Sequence, residues 1–224
     1  MPRFRADEPG DRLPWDGELP GTPAPAPSRK RNTIGKLLLA GWAIVCLIGL
    51  GSLSLGHMAA MPKPDDEAWL TRALLALRRD PSRAMLVHVI YENCSCTRRL
   101  FAHLLARGPF PLTQEIVLFV GGDGGGRQSA ESAGFEFTNV SSAEFTARYG
   151  LESAPVLAAF DAAGTLRYLG GYYSHPAAIA PLDESIHRQL GKGAAPQALP
   201  VFGCAVSARL QKAVDPLGIV YQTN

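Results

Sequence analysis

Three cysteines stand where thiol chemistry is possible. Cys94 and Cys96 lie two positions apart in "LVHVIYENCSCTRRLF", and Cys204 follows more than a hundred residues later in "VFGCAVSARLQKAVDPLG". The fourth, Cys46, sits inside an apolar run and reads as a small apolar residue. Four cysteines in 224 residues are too few for a disulfide scaffold. They also lack the paired C-x-x-C spacing of a structural zinc site. Thiol–disulfide exchange needs a thiolate at ambient pH within reach of its partner. Soft-metal binding needs two or three thiolates together, and Cys94, Cys96 and Cys204 with His88, His103 or His175 could make a Cu(I) site.

The elements around the cysteines argue for reactivity. "AMLVHVIY" (84–91) is a continuous apolar, β-branched run, the mark of a strand buried on both faces. "CTRRLFAHLLARG" (96–108) carries apolar residues at 100, 101, 104 and 105 and reads as a helix. Cys94 therefore falls at a helix start. Unpaired N–H groups and the positive end of the helix dipole favour its thiolate there, and Arg98 and Arg99 add positive charge. The one-residue gap is the difficulty. A disulfide needs Cα atoms roughly 4.4–6.8 Å apart, so Cys94 and Cys96 can bond only across a sharp turn at Ser95. The alternative is that Cys94 pairs with a substrate and Cys204 resolves it. Cys204 precedes an expected helix from Ala205 to Val214, so the tail is expected to fold back onto the site.

The rest of the chain supplies a frame. Residues 1–33 are rich in proline, glycine and charge and read as a disordered tail. Residues 34–61 contain 19 uncharged positions, Leu37 to Leu55, enough to span most of a bilayer core of roughly 30 Å. Arg29, Lys30, Arg31 and Lys36 precede the uncharged run, whereas Asp65, Asp66 and Glu67 follow it. The excess of Lys and Arg places the tail in the cytoplasm and the remainder beyond the membrane. A cleaved signal peptide fits less well, because more than 30 residues precede the apolar run. The far side of a membrane is oxidising, which gives the three later cysteines added weight. A formal net charge of +2 gives no reason to expect nucleic acid as a partner.

Residues 62–190 alternate helix and strand. A helix follows Asp65 or Asp66, with Leu70, Leu74 and Leu77 on one side. After the 84–91 strand and its helix comes a strand at 115–120, then the loop "GGDGGGR" (121–127). That loop lacks the Lys-Ser/Thr of a phosphate loop. A short helix is capped by Ser141 or Ser142. Strands at 156–160 and about 165–170 join through a turn at Gly164, and a last helix spans 176–190. An extension, 191–224, carries Cys204. The expected class is α/β, a mixed sheet with helices on both faces.

This order resembles the thioredoxin superfamily over about residues 65–190. Cys94 falls where strand gives way to helix, as the family's nucleophilic cysteine does. "SAPVLAAF" resembles the segment holding the family's cis-proline, with Pro155 as the match, and "FDAAGTLRYLGGY" resembles its closing hairpin. Two departures stand out: C-x-C replaces C-x-x-C, and Asn93 stands where the family often has tryptophan. His88 occupies the position, six residues before the first cysteine, where the family often has a buried acid. The resemblance implies a membrane-anchored thiol–disulfide oxidoreductase of the bacterial envelope. It would act on cysteine-containing envelope proteins in the periplasm, from a single-pass anchor in the inner membrane. Cys94 would be its nucleophile, with Cys96 or Cys204 resolving. Pro155 and Ala154 would present backbone to a substrate strand, and His88 would exchange a proton with the second thiol. No cofactor is implied. Three readings remain beside it: a Cu(I)-binding or metallochaperone-type protein, a redox-inactive interaction domain on the same fold, and His88 as a satisfied core residue.

Overall fold

The structure, a computed structural model, describes residues 29–58, 60–64, 66–122, 125–216, 218, 220 and 221, with 29–32 and 52–58 described by backbone alone. The tail expected at 1–33 lies, up to residue 28, outside the described residues. The chain divides into two compact units, 1–48 and 49–224.

Helix α1 (Arg29–Met58) forms the described part of the first unit and runs on past it. It takes in residues 29–33, which composition assigns to the tail. Nothing after Pro27 breaks a helix, so the basic residues extend it N-terminally. Its apolar window, Thr33–Gly51, is 19 residues long with a mean hydropathy of 2.0 and no buried residue. At 1.5 Å per residue it spans roughly 28 Å. Length and composition suit either a membrane anchor or a signal sequence.

The second unit is built on a five-stranded sheet. Strand β1 (Ala84–Tyr91) lies at its centre, β2 (Thr113–Val120) and β3 (Glu136–Val140) extend it on one side, and β5 (Val156–Phe160) and β6 (Leu166–Gly170) on the other. β1, β2 and β3 are parallel, while β5 and β6 run antiparallel to their neighbours. Alternate residues of β1 point to opposite faces, as a strand's period of two requires. Met85, Val87 and Val89 join a core with Leu70 and Leu74 of α2 (Glu67–Leu75) and Phe145 and Tyr149 of α5 (Ser142–Tyr149). Leu86 and Ile90 join a second core with Leu100 and Leu104 of α3 (Ser95–Arg107) and Ile186 of α6 (Asp183–Gly191). Burial on both faces explains why β1 reads as an unbroken apolar run. This is the thioredoxin-like α/β fold.

Local signals fix the ends of these elements. The Asp66 carboxylate accepts from the Trp69 amide at 2.8 Å at the start of α2, and the Ser141 hydroxyl accepts from the Glu144 amide at 3.1 Å at the start of α5. Gly164 (φ 82°) makes the β5–β6 turn, where the Asp161 carboxylate accepts from the Thr165 amide at 2.9 Å.

Six elements differ from expectation. The stretch 121–140 holds helix α4 (Gly126–Ser132) and edge strand β3, where only a loop and a helix cap are expected. Strand β2 begins two residues early, at Thr113. Helix α6 begins at Asp183 instead of 176, because Pro176 and Pro181 lack the N–H groups a continuing helix would use. The residues after Cys204 do not open a helix. Cys204–Ala205 forms strand β7, and the helix, α7 (Ala208–Val214), starts later, where the Ser207 hydroxyl accepts from the Leu210 amide at 3.1 Å.

Candidate functional site

Strand β1 delivers the chain to a turn at Glu92 and Asn93, and Cys94 follows as the N-cap of α3 in an extended conformation (φ −128°, ψ 120°). No side chain caps that helix end. The Thr97 hydroxyl, buried one turn on, donates to the Cys94 carbonyl at 2.9 Å and contacts the Tyr91 carbonyl, which pins the turn from below. Cys94 faces inward and is 1% exposed.

Its partner comes from the C-terminal extension. Cys94 and Cys204 form a disulfide with a Cα–Cα distance of 5.9 Å, closing a span of 110 residues. Cys204 is held by backbone pairing. β7 lies antiparallel to β4 (Ser153–Ala154), with Ala154 opposite Cys204 and Ser153 opposite Ala205. β4 leads into the cis peptide bond Ala154–Pro155. Pro155 and Ala154 therefore stand beside the cysteines, and the backbone edge of Ala154 is taken by this chain's own strand.

The extension is packed as well as bonded. Val201, Ala205, Val206 and Leu210 belong to the core cluster that contains Cys94. The Met61 amide donates to the Val201 carbonyl at 2.8 Å, and the Val206 amide to the Glu152 carbonyl at 2.7 Å. The Glu152 carboxylate accepts from the Ser207 hydroxyl at 2.8 Å and from Arg209 Nε at 3.0 Å. Those partners hold its carboxyl below the usual range, Arg209 most of all.

Gly203 shows how closely β7 approaches. A Cβ there would lie 2.0 Å from the Ala154 carbonyl oxygen and 2.6 Å from Pro155 Cδ. Both belong to the backbone or a fixed ring, so β4 and β7 would have to separate. Gly203→Ala is expected to cost about 1–3 kcal/mol, as overpacking does, and to displace Cys204. Disulfide mapping after air oxidation should then show Cys96 in bonds with Cys94 or Cys204. A map unchanged from the parent, with unchanged stability, would refute that close fit.

Cys96 is free and exposed. It borders a cleft of about 190 Å³ together with Ser95, Arg99, Tyr173, Phe202 and Gly203. Burial and the nearby Cys96 push the Tyr173 phenol up. The 94–96 bond considered from spacing is absent, and the long-range bond to Cys204 takes its place.

His88 lies apart from this chemistry. It shares a sheet face with Leu86 and Ile90, as the two-residue period implies, but Cys94 packs with the core on the other face. Its ring nitrogens reach the Tyr172 hydroxyl at 2.8 Å and Glu115 Oε2 at 2.7 Å. Glu115 also accepts from Arg107 at 2.7 Å, and Arg107 Nε donates to Asp183 at 2.8 Å, where His103 reaches the same carboxylate at 3.0 Å. Burial alone pushes the Glu115 carboxyl up, but hydrogen bonds and charge from His88 and Arg107 outweigh it and hold it at about 2. His88 is thus a fully partnered core residue. The residues that complete this network, Arg107, Glu115, Tyr172 and Asp183, escape the sequence reading. The usable signal was Glu115 opening an otherwise apolar strand, since a buried charge demands partners.

Among the described residues no three histidine, cysteine or acidic side chains converge to hold a metal ion. The disulfide also occupies two of the three thiols that the Cu(I) alternative would use.

No family model matches the chain, and no curated protein matches it either. Solved structures do. A hypothetical protein from Sinorhizobium meliloti 1021 is 19% identical, with a TM-score of 0.45, over 57% of this chain and 82% of its own. An uncharacterized conserved protein from Geobacillus kaustophilus is also 19% identical, with a TM-score of 0.39, over 56% of this chain and 77% of its own. A secreted Mycobacterium tuberculosis disulfide oxidoreductase, described as homologous to E. coli DsbE, gives 19% identity and a TM-score of 0.33 over 49% of this chain and 82% of its own. The thioredoxin-like fold itself rests on the strand order and register given above.

Proposed function

We propose that this protein is a membrane-anchored thiol–disulfide oxidoreductase whose redox couple is Cys94–Cys204. The observation that carries the reading is the disulfide joining the N-cap of α3 to a strand paired beside Pro155. Breaking that bond leaves the Cys94 thiolate at the positive end of a helix, which lowers the free energy of the reduced state. The clients are cysteine-containing proteins of the cell envelope. Orientation follows from the basic residues at the N-terminal end of α1: the N-terminal tail faces the cytoplasm, and the thioredoxin-like domain works in the oxidising space beyond the inner membrane.

The test is a redox titration. The full chain in detergent is equilibrated with glutathione buffers and thioredoxin-range dithiols, then acid-quenched and alkylated, and the Cys94–Cys204 bond is quantified by mass. An exchange couple is expected to titrate between about −120 and −270 mV, whereas structural disulfides lie below about −300 mV. A bond that survives every buffer in the upper range would defeat the proposal and leave the disulfide as a structural clamp. Cys94→Ser and Cys204→Ser are each expected to abolish catalysed oxidation or reduction of a dithiol peptide.

A further inference from the structure

The two bonded sulfurs are unequal in access, and this deepens the exchange reading, on which it rests. Cys94 is 1% exposed and packs inside the core with Val201 and Leu151. Cys204 is partly exposed and lies at the edge of that core. Its neighbour Gly203, which has no side chain to shield it, borders the open cleft with Phe202, Tyr173 and Cys96. A thiolate attacking a disulfide must reach one sulfur and expel the other. Reach and leaving ability point the same way in this site. The accessible sulfur is Cys204. The sulfur best able to leave is Cys94, because the first N–H groups of α3 lack side-chain partners and favour an anion there.

We infer that Cys204 is the client-facing cysteine and Cys94 the buried resolving one, the reverse of the order that strand-to-helix position suggests. The chemistry balances without an external co-reactant. A client thiolate attacks Cys204 Sγ. The client–Cys204 bond forms, the Cys94–Cys204 bond breaks, and Cys94 leaves as a thiolate. The client's second thiol loses its proton to solvent and attacks the client sulfur of the mixed disulfide, so that Cys204 leaves as a thiolate. The client has lost two electrons to form its disulfide, and the Cys94–Cys204 pair has gained them. The same steps in reverse reduce a client, with the Cys94 thiolate attacking Cys204 in the mixed disulfide and expelling the client.

Reduced glutathione is the probe. The oxidised full chain in detergent is exposed to it briefly, acid-quenched, alkylated and mapped by mass. Glutathione is expected on Cys204 over Cys94 by on the order of tenfold, since access sets the choice. Cys94→Ser has no Cys94–Cys204 bond, so it is given oxidised glutathione: the Cys204 thiolate attacks it, reduced glutathione leaves, and the adduct on Cys204 should persist because the resolving thiolate is gone. The Cys96→Ser chain is run alongside and should label Cys204 as the parent does. Glutathione found chiefly on Cys94, with normal titration of the pair, would overturn the assignment and leave the exchange function standing. An adduct on Cys96 can arise only by transfer from a bonded sulfur, so its reappearance on Cys94 in Cys96→Ser would overturn the assignment, whereas its reappearance on Cys204 would support it. A disulfide that forms no adduct and does not titrate would remove both the assignment and the function beneath it.

Discussion

Arg107→Met is expected to cost about 3–5 kcal/mol, the toll of leaving a buried ion without its partner. Domains of this size have only about 5–15 kcal/mol in total, so the variant should lose a large share of its stability. The reason lies in the network under the sheet. Among the described residues Arg107 bridges Glu115 and Asp183, and both carboxylates have fully buried side chains. Methionine fills much of the volume but leaves Glu115 with His88 and Asp183 with His103, without the buried cation that offsets both charges. Neutralising them should restore most of the loss, so Arg107→Met with Glu115→Gln and Asp183→Asn is the rescue. Urea unfolding of the three chains decides the matter. A single variant within about 1 kcal/mol of the parent would show the arginine to be dispensable.

The same network sets an acid limit. Glu115 is held at about 2 against an ordinary value of 4.5. A carboxyl whose folded value is depressed contributes stability that is fully present above the unfolded value and is lost as pH falls through the folded one. The parent should therefore lose stability between pH 4.5 and about 2, by about 3 kcal/mol if Glu115 acts alone. Arg107→Met should lose less over that window, because its Glu115 no longer has the arginine that favours the charged form.

Sequence and structure agree best where a single physical rule dominates. β1 was legible because burial on both faces leaves no polar position to blur it. The placement of Cys94 was legible because the helical period starting at residue 96 leaves little choice for the N-cap. The fold-back of the extension was expected from Cys204 standing at a helix start, and that reason fails, because Cys204 lies in β7 and α7 begins only at Ala208. What pairs with what was not. β7 is two residues long, and its register depends on Ala154, fifty positions earlier, so no local pattern encodes it. β3 was lost because an edge strand of five residues, with Thr138 and Asn139 in its middle, shows neither a continuous apolar run nor strict alternation. The His88 network was lost for a related reason. Its members come from β1, α3, β2, α6 and the segment after β6, and only the folded sheet brings them within hydrogen-bond distance.

Reducing the Cys94–Cys204 bond should lower unfolding stability by about 2–4 kcal/mol, less than the nearly 5 kcal/mol that chain entropy alone allows for a loop of this length. The extension stays docked without the bond, through Val201, Ala205, Val206 and Leu210 in the core and Arg209 on Glu152, so the folded state survives reduction. The Cys94 thiolate is also favoured by the helix terminus, which stabilises the folded reduced state. Folding and reduction share one thermodynamic cycle, so whatever the bond adds to stability also makes the folded pair harder to reduce than the unfolded one. At about 30 mV for each 1.4 kcal/mol, a 2–4 kcal/mol loss corresponds to a potential about 40–90 mV more negative in the folded chain. Urea curves of oxidised and reduced protein give the first quantity, and titrations with and without denaturant give the second. A loss near 5 kcal/mol with a matching potential shift would mark a disulfide that the fold clamps shut. A smaller, matched pair of values leaves the bond within reach of a client, as a couple that turns over must be.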